Sequence, residues 1–285
     1  MREQGIEVAT ISYDSPEVLA DFAQEQGITY KMLSDVGSET ITDFGILNTV
    51  AEEALGPNAN DPDVVADFEL LVASGPSPSE LFVGIAYPGT FMLDRDGVVE
   101  SRFFEDSYQE RNTTANLMLK LGTGGSTVEG TEISTDHVGI LTYPSDAVVA
   151  PGVRFSLALD IVPLPSMHLY APGAELQNYR VIDLRIDPQP FVRVVPLEYP
   201  ESEIYYFEPL DERVPVYRRP LTLLQEILPL STPEAQAAFA EMDELTLTGA
   251  LDYQACDDEL CYNPVSLPLS WTVEMRPVNR RQSRE

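Results

Sequence analysis

The sequence has 285 residues, which is longer than most domains with a single hydrophobic core. This length predicts two domains of roughly 100–200 residues each. Hydrophobic residues make up 44% and charged residues 22%, which excludes a disordered or fibrous chain. The net charge is −30, with 47 acidic and 17 basic side chains, so the chain would repel phosphates and we expect no nucleic-acid partner. We also predict no membrane span, because no apolar run approaches ~20 residues.

The first part of the chain alternates between strand and helix patterns. Apolar and β-branched residues predict strands, Ser and Pro predict helix starts, and Gly predicts helix ends. In chain order the pattern predicts a strand at 6–13, a helix from Pro16 to Gly27, a strand at 28–33, a helix at 38–44 capped by Ser38, an insertion at 48–80 with a helix near 62–72, a hairpin of strands 87–93 and 98–104, and a helix at about 110–121.

The second part of the chain has a different sequence pattern. A Gly- and Thr-rich stretch at 122–127 predicts a linker. Beyond it, short alternating runs at 153–162, 179–186, 245–254 and 267–275 are separated by prolines, which is typical of an antiparallel β-sandwich. We therefore divide the chain into a first domain at 1–121, a linker at 122–134, a sandwich at 135–277 and a polar tail at 278–285.

Two strings in the first domain resemble the peroxiredoxin and thiol-specific antioxidant branch of the thioredoxin fold. They are GIEVATISYDSPEVLADFAQEQGITYKMLSD and YPGTFMLDRDGVV. The resemblance implies an α/β thioredoxin-like domain over about residues 4–121, incomplete at its start. It also implies that Pro88 occupies the position of the cis-proline that faces the redox cysteine in that fold.

The cysteine that this family needs is absent from the first domain. No Cys precedes residue 256, and the thiolate is the nucleophile of peroxide reduction. We therefore predict that the chain as given is not a peroxidase. We expect that the strand and helix with the cysteine, together with a signal peptide, lie outside the given sequence; the alternative is a catalytically inactive scaffold.

The chain's two cysteines, Cys256 and Cys261, lie close together between two predicted strands, so a disulfide is geometrically plausible. A disulfide that closes so short a loop should stabilise the fold by less than the ~3 kcal/mol expected for a 15-residue loop. This favours a redox role for the pair over a structural one. A structural hairpin disulfide remains open. A metal site is disfavoured because His137 and His168 lie in other segments, and we predict neither a metal nor a cofactor.

The second half resembles the periplasmic N-terminal domain of the thiol:disulfide interchange protein DsbD. Three strings match in order: Met167-His168-Leu169-Tyr170, 199–205 (YPESEIY), and Tyr253-Gln254-Ala255-Cys256 with Cys261-Tyr262-Asn263-Pro264. Over about residues 135–277, the resemblance implies an immunoglobulin-like sandwich whose cysteine pair passes electrons between a thioredoxin-like domain and periplasmic partners. It also implies that Cys261 forms the mixed disulfide and Cys256 resolves it.

The resemblance also implies which side chains flank the disulfide. His168 and Tyr170 match flanking positions, and Tyr253 and Tyr262 are neighbours of the cysteines in sequence. The family's spacing of five residues between the cysteines is four here. Its shielding phenylalanine is replaced by Glu198, so Tyr199 is the candidate for an aromatic lid.

Together these observations predict an extracytoplasmic, periplasmic protein that exchanges thiols and disulfides through Cys256 and Cys261. Its partners would be thioredoxin-like or other thiol proteins, and the exchange could be coupled to the peroxiredoxin-like domain. The alternative is a non-catalytic binding module in which the disulfide only fixes a hairpin.

Overall fold

The computed structural model describes residues 5–65, 68, 83–104, 110–122, 128–208, 211–257 and 259–277. The chain divides into two compact units, 1–109 and 110–285. This division lies before the predicted linker at 122–134. Most of the Gly-rich part of that linker, the end of the predicted helix near 62–72 and the predicted tail at 278–285 fall outside the described residues.

The first unit follows the predicted order of strands and helices, with one additional short helix at Val50–Leu55 in the predicted insertion. Strands β1 and β2 pair in parallel, with Ala9 opposite Lys31, and β3 and β4 form an antiparallel hairpin around Asp94 and Gly97. The elements are β1 (Ala9–Ser12), α1 (Pro16–Gln26), β2 (Lys31–Ser34), α2 (Glu39–Asp43), α3 (Val50–Leu55), β3 (Gly89–Leu93) and β4 (Val99–Phe104).

Helix α2 starts differently from the prediction, because Ser38 is not its side-chain cap. Ser38 has a left-handed φ of 57° and makes no capping bond; its hydroxyl donates to the carbonyl of Gly84 at 2.6 Å. The carboxylate of Asp35 instead accepts the backbone N–H groups of Thr40 at 3.1 Å and Ile41 at 2.8 Å. A charged acceptor thus satisfies the free donors of the first turn.

The expected cis peptide bond before Pro88 is absent, since every peptide bond between described residues is trans. A trans bond is favoured by about 0.5–1 kcal/mol even before proline, so the cis form persists only where neighbouring groups hold it. The chain next to Pro88 is tied down by an isolated bridge between Leu47 and Ala86, which the trans form satisfies.

The second unit is rich in β-strands, as predicted. A short 3-10 turn at Ala174–Gln177 follows β10. The elements are β5 (Arg111–Asn112), α4 (Thr114–Lys120), β6 (Thr131–Ser134), β7 (Val138–Pro144), β8 (Val148–Val149), β9 (Val153–Pro163), β10 (His168–Tyr170), β11 (Asp183–Ile186), β12 (Val192–Val194), β13 (Glu203–Phe207), β14 (Glu212–Tyr217), β15 (Leu221–Pro229), α5 (Pro233–Phe239), β16 (Glu244–Tyr253), β17 (Ala255–Cys256) and β18 (Val265–Met275).

The described strands of this unit form three sheets, and two of them share the main core. One has the order β12-β15-β9-β7-β6, with β5 paired to β9, and another has the order β11-β16-β18-β8. Inward residues of both sheets, such as Leu157 and Val273, belong to one buried cluster. The indole N–H of Trp271 in β18 donates to the Thr142 hydroxyl in β7 at 2.8 Å, which links the two sheets.

The predicted helix at about 110–121 corresponds to α4, and it packs on the second unit. Asn116 is fully buried there and its side-chain oxygen accepts the Ser156 hydroxyl at 2.6 Å. The Glu110 carboxylate accepts from Arg154 at 2.8 Å and from Arg193 at 2.9 Å. These buried polar contacts explain why the segment belongs to the β-rich unit.

The third sheet, with the order β13-β14-β10-β17, carries the cysteines. A small second core lies beneath it, formed by Tyr170, Ala174, Val214, Val216 and Cys256. None of the helices in the described parts of the chain has the length and apolar character required to span a bilayer.

Candidate functional site

The two cysteines form a disulfide at the edge of the third sheet. Cys256 lies in the edge strand β17, which pairs with β10 so that Cys256 is opposite His168. Cys261 returns to form an isolated antiparallel bridge with Cys256, with their Cα atoms 4.1 Å apart. The predicted pairing is therefore confirmed.

Asp257 organises the turn between the cysteines. Its carboxylate accepts the backbone N–H groups of Glu259 at 2.8 Å and Leu260 at 2.7 Å, and it also accepts the Tyr262 hydroxyl at 2.8 Å. Its own N–H donates to the Leu260 carbonyl at 3.0 Å. The backbone bonds, first that from Glu259, hold the pKa of Asp257 below its usual value.

The two sulfur-bearing residues differ in their access to solvent. Cys256 is only 1% exposed, whereas Cys261 is an exposed residue and follows Leu260, which is 57% exposed. An incoming thiolate must reach a sulfur along the S–S axis, so accessibility decides which sulfur is attacked. Cys261 is therefore the more accessible residue of the bridged pair.

The hydroxyl of Tyr170 lies beside both sulfurs. It is 3.2 Å from Sγ of Cys256 and 3.3 Å from Sγ of Cys261. Because bridged sulfurs carry no proton, the hydroxyl is the donor in both contacts. Tyr170 is 3% exposed, and this burial, followed by the nearby Tyr179 and Glu212, raises its pKa.

Tyr179 and Glu212 hold the Tyr170 ring in place. The rings of Tyr170 and Tyr179 stack with centroids 4.1 Å apart and an interplanar angle of 14°. The Tyr179 hydroxyl donates to the Glu212 carboxylate at 2.7 Å. Burial and this hydrogen bond raise the pKa of Tyr179, so both tyrosines stay protonated at neutral pH.

His168 and Tyr205 complete an aromatic cluster around the disulfide. The His168 ring is 5.6 Å from Tyr170 in an edge arrangement and 4.8 Å from Tyr205. The guanidinium of Arg218 lies 5.3 Å from the Tyr205 ring centroid, within the range of a cation–π contact. His168 itself is buried.

These side chains surround a small cleft with a volume of about 40 Å³. That volume holds one or two waters and is far below the roughly 300 Å³ of a typical ligand pocket. No group of three potential metal ligands occurs among the described residues. The cleft is lined by His168, Tyr170, Tyr179, Tyr205, Phe207, Val214, Cys256, Asp257, Glu259, Leu260 and Cys261.

Two of the predicted flanking residues lie elsewhere, and Tyr199 is not a lid. The Tyr199 hydroxyl donates to Asp183 at 3.1 Å and its ring packs on the main core. Tyr253 is fully buried in that core, with its hydroxyl 3.0 Å from Thr135. Alternation along β16 explains Tyr253, since its side chain faces inward two residues before the β17 strand.

The sequence interpretation found His168 and Tyr170 but missed other members of the cleft; Tyr262 lies outside the lining, with its hydroxyl on Asp257 and its ring 4.4 Å from that of His137. Tyr179 comes from a loop, and Tyr205 and Phe207 come from strand β13, whose pairing with β14 brings them to the cleft. Glu212 on β14 lies outside the lining and accepts the Tyr179 hydroxyl. The role of Asp257 could have been predicted. An Asp in a turn commonly accepts the backbone N–H groups of the residues two and three positions later, as Asp257 does here.

The chain has a thioredoxin-like N-terminal domain and a β-rich C-terminal domain that carries the disulfide, and a family model matches each of the two parts. Residues 1–102 match the model of the AhpC/TSA family. Residues 141–267 match the model described as thiol:disulfide interchange protein DsbD, N-terminal. Both resemblances noted in the sequence are thereby confirmed.

Two solved structures are similar to part of this chain. The reduced DsbD N-terminal domain of Neisseria meningitidis is 16% identical with a TM-score of 0.28, covering 42% of this chain and 81% of that one. The N-terminal periplasmic domain of ScsB from Proteus mirabilis is 13% identical with a TM-score of 0.33, covering 48% of this chain and 49% of that one. Among curated proteins, no match was found.

Proposed function

We propose that this protein performs thiol–disulfide exchange through Cys256 and Cys261. The observation that carries the proposal is the asymmetry of the bridge, with Cys261 exposed at the cleft and Cys256 only 1% exposed beneath it. A purely structural bridge gains nothing from presenting one sulfur to solvent, whereas exchange requires it.

The roles of the two cysteines follow from this access. A partner thiolate attacks Sγ of Cys261, the S–S bond breaks and its electron pair passes to Sγ of Cys256, which leaves a mixed disulfide on Cys261. In the reverse direction, the Cys261 thiolate attacks a partner disulfide and Cys256 resolves the mixed disulfide. Cys261 is therefore the interchange cysteine and Cys256 the resolving cysteine.

The match to the DsbD N-terminal model supports a setting for this chemistry. We propose a periplasmic or otherwise extracytoplasmic location, an immunoglobulin-like arrangement of the β-rich domain, and thioredoxin-like proteins as partners. The thioredoxin-like unit of the same chain matches the AhpC/TSA model, and this supports a coupling between the two units in one redox pathway.

Trapping of a mixed disulfide tests the proposal. In full-length Cys256→Ser, incubation with a thioredoxin-like protein that retains one active-site cysteine, activated as a mixed disulfide with a small thiol, should give a covalent adduct at Cys261, because neither protein then has a resolving thiol. In the matched variant Cys261→Ser, adduct formation should be at least about tenfold slower, because Cys256 is buried. Non-reducing electrophoresis and mass spectrometry of the adduct measure both rates.

The opposite outcome would identify a binding module with a structural disulfide. In that case neither single variant forms an adduct, and the wild-type bridge resists reduced thioredoxin, with a potential below about −300 mV. The doubly substituted Cys256→Ser, Cys261→Ser protein would then also lose much of its thermal stability. A modest loss of thermal stability agrees with exchange, since a disulfide that closes a short loop contributes little to stability.

A further inference from the structure

Exchange at this site leaves a charge in a buried place. When Cys261 is attacked, the sulfur of Cys256 departs as a thiolate, and Cys256 is 1% exposed. Water cannot solvate that charge directly. A buried anion without a hydrogen-bond donor is strongly disfavoured, so the departure of this thiolate would be the difficult part of the reaction.

The charged groups that face the cleft add to this difficulty. Asp257 and Glu259 line it from the cysteine turn, and Glu212 lies behind Tyr179 on β14. Negative charge nearby raises the pKa of a thiol and disfavours the thiolate. On β10 and β13, His168 and Tyr205 present their aromatic rings to the same cleft.

We infer that Tyr170 is a catalytic residue of the exchange, because its hydroxyl donates a hydrogen bond to the departing Cys256 thiolate. This inference rests on the proposed function. In the disulfide, one hydroxyl lies within 3.2 Å and 3.3 Å of the two sulfurs. As the S–S bond breaks, the electron pair collects on Sγ of Cys256, and the bond from Tyr170 strengthens there.

The hydroxyl donates the hydrogen bond without giving up its proton. Its pKa is raised, so it remains a donor at neutral pH, and the Cys256 thiolate later takes its proton from solvent or attacks again. The stacked ring of Tyr179, anchored to Glu212, fixes the direction of the hydroxyl. Tyr179 is thus a positioning residue, since it acts through Tyr170: its ring stacks on that of Tyr170 and its hydroxyl is anchored to Glu212.

The test compares full-length wild type with Tyr170→Phe, which keeps the stacked ring and removes only the hydroxyl. The rate of bridge reduction by dithiothreitol should fall about tenfold or more, the expected effect of losing a hydrogen bond to a charged group. In the Cys261→Ser background, ultraviolet thiolate absorbance should show a higher pKa for Cys256 after the same substitution.

A remote hydroxyl provides the matched control. Tyr143→Phe removes a hydroxyl that donates to Asp160 at 3.1 Å in the main sheet, and it should leave the reduction rate within about twofold of wild type. Site-specific fluorotyrosine at position 170 offers a second test that preserves the fold. Its more acidic hydroxyl is a stronger donor, so reduction should become faster.

Each result separates this inference from the proposed function. If wild type exchanges readily but Tyr170→Phe reacts at the same rate with an unchanged Cys256 pKa, the role of Tyr170 is wrong and exchange stands. If circular dichroism shows that Tyr170→Phe does not fold, the fluorotyrosine protein decides, and an unchanged or slower rate overturns the inference. If the wild-type bridge resists every thiol donor, the proposed function itself fails.

Discussion

Asp257 is the residue that gives the cysteine turn its shape. One carboxylate accepts two backbone N–H groups and the Tyr262 hydroxyl, and these bonds lower its pKa. A carboxylate whose pKa is lowered by folding stabilises the fold above its ordinary pKa of about 3.9, and this contribution is lost as the pH falls through the lower, folded value. The turn should therefore be insensitive to pH near neutrality and weaken in acid.

We predict that Asp257→Asn lowers the melting temperature of the second unit by a few degrees at pH 7, because the ionised acceptor is lost. The difference from wild type should vanish in acid, where wild-type Asp257 is itself protonated. Thermal melts over a pH series, followed by the fluorescence of Trp271, measure this; it is the chain's single tryptophan and lies in the main core.

The neighbouring Glu259→Gln serves as the comparison for Asp257, because its backbone is held by Asp257 while its own side chain caps none of the described amides of the turn. Its melting temperature should follow wild type at every pH. A difference between Asp257→Asn and wild type that persists unchanged into acid would show that charge on Asp257 does not hold the turn.

At this scale the sequence predicted the disulfide and two of its neighbouring side chains, but not the rest of the cleft. Cys256, Cys261, His168 and Tyr170 were all recognised because they lie in short strings with fixed spacing. Tyr179 was not recognised, because its stacking on Tyr170 depends on how the loop after the 3-10 turn folds back. Long-range side-chain contacts of this kind produce no periodic pattern in a single sequence, so they cannot be predicted from it.

The segment with β5 and α4 shows the same limit for whole elements. Its helix was predicted, but the sequence assigned it to the first domain. What fixes it to the second unit is a buried ion network in which Glu110 contacts Arg154 and Arg193, and Lys120 pairs with Glu226. Charged side chains are mostly exposed in folded proteins, so the sequence of this segment predicts an exposed surface. The structure instead buries Glu110 and Arg154 in an ion network.

Removal of one member of this network should be costly. Glu110→Gln removes the nearer of the two carboxylates that pair with the Arg154 guanidinium, whose side chain is 9% exposed, and leaves Glu226 at 3.9 Å. We expect a loss of about 3 kcal/mol in the free energy of unfolding of the second unit. Urea unfolding of the full chain, read from Trp271 fluorescence, reports on this unit.

An exposed ion pair of the same unit is the control for Glu110. Glu274 contacts Arg276 at 3.3 Å with both side chains more than half exposed, and Glu274→Gln should cost less than about 1 kcal/mol. Equal losses for the two substitutions would mean that the segment at 110–122 is not held by its buried charges.

The net charge of −30 belongs to the whole molecule, and Asp257 and Glu259 bring negative charge to the cleft beside the disulfide. A charged surface attracts reactants of opposite sign and repels those of the same sign, and salt screens both effects. A thiol donor for this protein should therefore carry positive charge near its own reactive sulfur.

Small thiols of opposite charge test this expectation. Cysteamine should reduce the bridge faster relative to mercaptoethanesulfonate at low ionic strength than at ~1 M salt, where the screening length falls to about 3 Å. Glu259→Gln should make this ratio less dependent on salt. A ratio that does not change with salt in the wild-type protein would show that the acidic surface does not influence access to Cys261.

The hydrogen bonds of the cysteine turn do not depend on the S–S bond. The Tyr262 N–H donates to the Ala255 carbonyl at 2.9 Å, and the Asp257 N–H donates to the Leu260 carbonyl at 3.0 Å. After reduction these bonds can still keep both thiols together, so each meets the other at a high effective concentration. The reduced domain would then be poised to close its own bridge again, and a mixed disulfide on Cys261 would be short-lived unless Cys256 is removed.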